Sequence, residues 1–179
     1  SLCHLNNTTA LAATRFLTPP IGGFRNDEED TFNHLVLEFL EKSGIHTVIL
    51  AGRWSSYLTN ESEHSRLLET VDRLHELGIR VFFLKDVPNF SYHVPRIMSM
   101  NLTRKFEIHR LGVSLSDHEQ ANAFYLELVP ELAKRGVGIL DPLPYFVRLE
   151  NPDLLLPFDA NGVFYRDADH LSVHGAMSI

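Results

Sequence analysis

Asp167 and His170 stand three residues apart in the stretch Asp167-Ala168-Asp169-His170-Leu171-Ser172. One short loop can turn both side chains toward each other at that spacing. The carboxylate then fixes the imidazole's tautomer and steadies the imidazolium formed when the ring takes a proton from a nucleophile. The same residue types admit a second chemistry. Asp167, Asp169, His170 and His174 are all of a kind that ligates a divalent metal, and the two histidines are four apart, as on one helix face. Against a metal-dependent hydrolase stand the lack of an H-E-x-x-H pattern and Ser172, which reads as a helix N-cap between the histidines. The reading taken forward is an acid–base pair with no metal.

Composition narrows the class of protein. The 179 residues are 44% hydrophobic, enough for the core of one domain. A formal charge of −7, with no basic stripe, excludes a nucleic-acid binder. The lone Cys3 excludes an internal disulfide or a multi-cysteine metal site. No apolar run approaches the roughly 20 residues of a membrane span.

Helical and strand patterns alternate along the chain. Phe32, Leu35, Val36, Phe39 and Leu40 recur at helical spacing before Gly44, and Leu67, Leu68, Val71, Leu74 and Leu77 do so before Gly78. Ser116 and Glu119 form a capping-box pattern ahead of Ala121, Phe124, Tyr125, Leu128, Val129 and Leu132, with Gly136 as the stop. Residues 47–51 (TVILA), 80–84 (RVFFL) and 137–140 (VGIL) read as buried strands. Strands separated by such helices predict an α/β fold whose three strands are parallel neighbours, covered by helices. Phe83, Phe124 and Tyr125 fall at core spacing, whereas His34, His64, His75 and His118 sit among charged neighbours and read as solvated.

Ligands bind beyond the carboxyl ends of such strands. There the chain places Gly52-Arg53-Trp54-Ser55-Ser56-Tyr57, Asp86-Val87-Pro88-Asn89-Phe90 and Asp141-Pro142. Arg53 and Trp54 either lend charge and an aromatic wall to the cleft, or pair with a carboxylate and pack.

The succession VILAGRWSSY (48–57), DVPNFSYHVP (86–95) and GVFYRDADHLSVHGA (162–176) resembles the SGNH domain fused to membrane acyltransferases of the acyltransferase-3 type. Those proteins O-acetylate envelope sugars in O-antigen, peptidoglycan or exopolysaccharide. TPPIG (18–22) resembles a weaker motif of the same domain. The resemblance spans nearly the whole chain as a single domain. It implies a three-layer α/β/α, SGNH-hydrolase (flavodoxin-like) fold with a Ser-His-Asp triad, in which Asp167 orients His170 and His170 is the general base. The family's nucleophile lies in a Gly-Asp-Ser segment ending the first strand, and no such tripeptide occurs here. The nucleophile is therefore expected outside this chain, with the first strand before Ser1 and the last helix continuing past Ile179. An open apolar sheet edge is expected in its place. Ser55 and Ser56 lack the glycine-bounded elbow of a strained nucleophile.

Gly52-Arg53-Trp54 stands where many SGNH enzymes carry Gly-x-Asn-Asp, so these three are the oxyanion or cleft candidates, with Arg53 as a candidate donor. The resemblance further implies a membrane-anchored parent with this domain extracytoplasmic (periplasmic). It implies a glycan acceptor, acetyl-CoA as ultimate donor, and no cofactor on the domain itself. By itself the 179-residue chain is expected to be inactive. The competing reading is a catalytically silent glycan-binding domain.

Overall fold

Three glycines end helices that lead into strands. Gly44, Gly78 and Gly136 have φ of 67°, 71° and 82°, the left-handed region that a side chain disfavours. In the computed structural model, which describes residues 10–13, 27–104, 111–148 and 151–179, each is followed within three residues by a parallel strand. The elements in chain order are β1 (Ala10–Ala13), α1 (Asp27–Ser43), β2 (Thr47–Leu50), α2 (Trp54–Tyr57), α3 (Glu61–Glu76) and β3 (Arg80–Leu84). Next come α4 (Val94–Arg104), β4 (Val113–Ser114), α5 (Leu115–Leu126), α6 (Val129–Lys134) and β5 (Gly138–Leu140). The chain ends with β6 (Val147–Arg148), β7 (Asn151–Leu155) and α7 (Val173–Ser178). Cys3 and the TPPIG segment lie outside the described residues.

The chain forms two compact units. One comprises Ser1–Asp86 and Ala123–Leu140, the other Val87–Asn122 and Asp141–Ile179. In the first, a parallel sheet runs in the order β1-β2-β3-β5. The three strands expected from the sequence are thus parallel neighbours. The open edge expected beside them is absent: β1 takes that side of β2, pairing Ala10 with Thr47 and Ala13 with Leu50. Three alanines and one leucine carry little strand propensity, so only pairing defines this strand.

Helix α3 shows why these residues form these elements. Asn60 caps it by accepting the Glu63 N–H at 3.1 Å, and Leu67, Val71 and Leu74 put one buried stripe toward β3. The core gathers these with Leu40, Val48, Val81, Phe83, Tyr125 and Leu132.

The long helix expected after Ser116 differs in two ways. Its cap is Ser114, whose Oγ accepts the Asp117 N–H at 3.0 Å, so Ser116 falls inside the first turn of α5. It is also two helices, because Pro130 has no N–H to bond the carbonyl four residues back and so stands in the first turn of a new helix, α6. In the second unit an antiparallel sheet, β4-β7-β6, adjoins an aromatic cluster of Phe90, Phe146, Phe164 and Tyr165. No sequence pattern announced this sheet, since β4 and β6 are two residues each. Among the described residues, no helix is long and apolar enough to cross a membrane.

Two helical leucines with similar sequence surroundings are distinguished by packing. Leu74 is 0% exposed and Leu35 54% exposed. In urea denaturation, Leu74→Ala will cost about 3 kcal/mol, while Leu35→Ala will stay within about 0.5 kcal/mol of the parent.

Candidate active site

The loop of the second unit that carries Asp167 and His170 is built around one carboxylate. Asp167 Oδ1 accepts the backbone N–H groups of Asp169 (3.0 Å) and His170 (2.7 Å), an Asx-type turn. Its Oδ2 lies 2.9 Å from His170 Nδ1. The structure therefore brings together the two residues singled out as an acid–base pair. An isolated bridge between Tyr165 and Leu171 closes the base of the loop, and the Arg166 N–H donates to the His170 carbonyl at 3.0 Å. The His170 and Asp169 amides, against a small opposing effect of burial, hold the Asp167 carboxyl down at about 2. It is a charged group at any ordinary pH, and His170 is solvent-exposed.

Asp169 does not turn outward as expected. Its Oδ1 is 3.1 Å from the same Nδ1 of His170. Adjacency in a tight turn keeps it there, and the two amides on Asp167 offset the repulsion that would otherwise separate two carboxylates at one imidazole.

The remaining motif residues shape helix α7 and the turn that leads to it. Ser172 caps α7, its Oγ accepting the Gly175 N–H at 3.0 Å and donating to the Val163 carbonyl at 2.7 Å. A Cβ on Gly175 would lie 2.1 Å from the Phe164 carbonyl oxygen, so glycine is required there for close approach. His174, inside α7, turns to Asp159, with Nε2 3.0 Å from Oδ1. Asp159 also accepts the Asn161 and Gly162 N–H groups. Burial is the largest single influence and pushes its carboxyl up, but the His174 ring and the two amides together outweigh it and hold it at about 2. Sequence reading missed Asp159; the turn pattern Asp159-Ala160-Asn161-Gly162 was the signal that could have found it.

The metal-ligand set is accordingly split. One ligand atom from each of Asp167, Asp169 and His170 lies within 4.8 Å of the others, but His174 is committed to Asp159. Asp167 has both oxygens engaged, Oδ1 by two amides and Oδ2 by the imidazole, which fits an oriented histidine better than a cation.

Gly52, Arg53 and Trp54 belong to the first unit. Trp54 is 1% exposed, stacks on Phe83 at 4.5 Å between centroids and donates from Nε1 to the Leu84 carbonyl at 2.6 Å. It is a core residue and not a cleft wall. Asp86 clamps the turn: its Oδ1 accepts the Trp54 N–H at 2.9 Å and its Oδ2 the Ser55 N–H at 3.1 Å. Burial pushes the Asp86 carboxyl up, opposed by those amides and by Arg53. Arg53 is exposed, and a Cβ on Gly52 would come 3.3 Å from the Tyr57 ring. Ser55 and Ser56 lie within α2, not on an elbow after a strand.

Three other assignments also change. His118 is 4% exposed and lies 3.2 Å through Nδ1 from Asn122 Nδ2, so it is not solvated. His64 is half-buried: its Nε2 is out of water with no hydrogen-bond partner, and its ring lies 4.5 Å from that of Phe124. Phe124 is itself 40% exposed and outside the core.

A parallel α/β sheet and a carboxylate-oriented histidine on a C-terminal loop define the class as SGNH-like. A solved structure, the Salmonella ser. Paratyphi A lipopolysaccharide acetyltransferase periplasmic domain, shares this fold at a TM-score of 0.63 and 18% identity. The likeness covers 83% of this chain and 59% of that one, so the chain spans less than two thirds of that structural relative. No curated protein matches the chain. The family model described as SGNH domain (fused to AT3 domains) matches residues 1–179, and the chain belongs to that family.

Gly175→Ala will move α7 off the Phe164 backbone and destabilise the protein by roughly 2 kcal/mol, read as a lowered urea midpoint. Because the folded Asp167 lies below the ordinary carboxylate value of 3.8, its contribution is full above that pH and lost as pH falls through about 2. The Asp169 and His170 amide resonances will hold their native shifts at pH 5 and lose them together as pH falls through about 2.

Proposed function

We propose that the domain serves an O-acyltransferase that moves acetyl groups onto hydroxyls of cell-envelope glycans, with His170 as general base and Asp167 as its orienting carboxylate. The observation that carries this reading is the ionised Asp167 on His170 Nδ1, a bond that leaves Nε2 as the proton acceptor. Family membership and the likeness to a lipopolysaccharide acetyltransferase domain support it.

In this mechanism a serine hydroxyl attacks the acetyl carbonyl while its proton passes to Nε2 of His170. Collapse of the tetrahedral intermediate leaves a seryl ester and returns the proton to the leaving group. A sugar hydroxyl then attacks that ester, giving its proton to Nε2, and the serine leaves with it. Asp167 stays charged throughout and steadies the imidazolium. This reading assigns the serine to the remainder of the acyltransferase, in keeping with the family's Gly-Asp-Ser nucleophile, a tripeptide this sequence lacks. The acyltransferase-3 partner domain, set in the membrane, passes the acetyl group outward from acetyl-CoA to this domain on the periplasmic side.

In the whole acyltransferase, Asp167→Asn will keep the fold yet lower acetyl transfer by roughly 10³-fold or more, because an amide cannot hold the productive tautomer. Acetylation of the envelope glycan, followed by mass spectrometry, reads the effect. An Asp167→Asn protein as active as its parent overturns the assignment. The 179-residue chain on its own will show little turnover of small acetyl esters, since the covalent route lacks its nucleophile.

A further inference from the structure

The Asp167–His170 loop is fastened at three points to residues 88–94 of the same unit. The Phe90 N–H donates to the Ala168 carbonyl at 3.0 Å, and the Val94 N–H donates to the Asp167 carbonyl at 3.0 Å. Val94 opens α4, so its amide is one of the donors a helix start leaves without an internal partner. The third point is a side chain. Tyr165, two residues before Asp167 and 1% exposed, donates its hydroxyl to the Pro88 carbonyl at 2.7 Å. Its ring meets Phe90 edge-on at 5.0 Å and tilts on Phe146 at 6.0 Å. Burial, and then the Asp169 carboxylate, push the phenol far above its ordinary range, so it donates at every working pH. The loop's own bonds set Asp167 against His170, and these three fasten that loop to the aromatic cluster beneath it.

We propose that Tyr165 is a positioning residue for the acid–base pair: fastened to Pro88, it holds the loop on residues 88–94 so that Asp167 stays on Nδ1 and Nε2 stays free to accept a proton. This rests on the reading of His170 as general base, yet its test needs no acyl transfer. Tyr165 touches neither His170 nor substrate in this role. It acts through the loop backbone, whose carbonyls at Asp167 and Ala168 are the acceptors on the far side of the same contact.

The test is long-range proton–nitrogen NMR of the 179-residue chain with nitrogen-labelled histidine rings, unmutated and as Tyr165→Phe. Above the histidine titration range, the unmutated chain will show His170 predominantly protonated on Nδ1. Its neighbour His174, bonded through Nε2 to Asp159, will show the opposite tautomer and serves as the internal reference. In Tyr165→Phe the His170 preference will fall roughly fivefold, the equivalent of one net hydrogen bond, while His174 is unchanged. A His170 preference equal to the parent's overturns the proposal. So does a parallel loss at both histidines, which marks general loosening of the unit. Should Tyr165→Phe not fold, Val94→Pro deletes the neighbouring anchor's N–H at the first helical residue, where proline's backbone is accepted though some packing of the buried Val94 is lost, and the same outcomes, with His174 again the control for general loosening, decide. A chain whose His170 responds as expected but whose parent transfers no acyl group leaves the positioning intact and overturns only the proposed function.

Discussion

Asp86, Asp159 and Asp167 each accept two neighbouring backbone N–H groups, and the loops of both units take their shape from that interaction. Asp86 holds the start of α2, Asp159 the turn before Gly162, and Asp167 the turn before His170. A carboxylate is well suited to this, since an ionised acceptor bonds amides about twice as strongly as a neutral one. Asp159 and Asp167 in addition receive a histidine ring nitrogen. With the carboxylate fixed by the backbone, the histidine is oriented by a group that cannot itself swing away.

Burial decides what the same bonding pattern means electrostatically. Asp86 is 4% exposed, and loss of water there outweighs two amides and a nearby Arg53, so its carboxyl is pushed up. Its charge is a cost the fold carries, and its role is to hold α2. Asp167 keeps contact with water, so the amides dominate and its carboxyl is pulled down. Asp167 therefore keeps its negative charge down to low pH beside His170, whereas Asp86 is committed to holding the start of α2. Asp159 is pulled down against a strong opposing effect of burial, by the His174 ring and then by two amides, and that histidine is half-buried against Phe164, with ring centroids 5.5 Å apart. That pair fastens α7 to the loop before it, whereas His170 stands in solvent.

The motif residues around the pair have a common physical explanation. Ser172 caps α7, Gly175 lets it approach Phe164, and Tyr165 and residues 88–94 tie the loop to the aromatic cluster. Phe146 meets Phe164 edge-on at 5.4 Å, giving that cluster a geometry in which rings interlock and do not slide. The support under the site is therefore apolar packing, and the orientation within it is hydrogen bonding.

The parallel strands β2, β3 and β5 and the glycine-ended helices before them were legible in the sequence, because short apolar runs, helical stripes and glycine stops are local signals. Asp167 and His170 were legible for the same reason: one turn of chain makes their contact. β1 was not, since Ala10–Ala13 becomes a strand only through pairing with β2. Residues far apart in sequence decided the rest. Whether Trp54 lined a cleft or packed depended on Phe83, Leu84 and Asp86 about thirty residues on. The burial of His118, the exposure of Phe124 and the turning of His174 to Asp159 likewise depend on what each meets across the fold. Sequence by itself determined the contact within the loop and the strands of the main sheet. Tertiary structure alone decided which polar groups are stripped of water and which apolar groups are covered, because burial is a property of neighbours that local pattern does not contain.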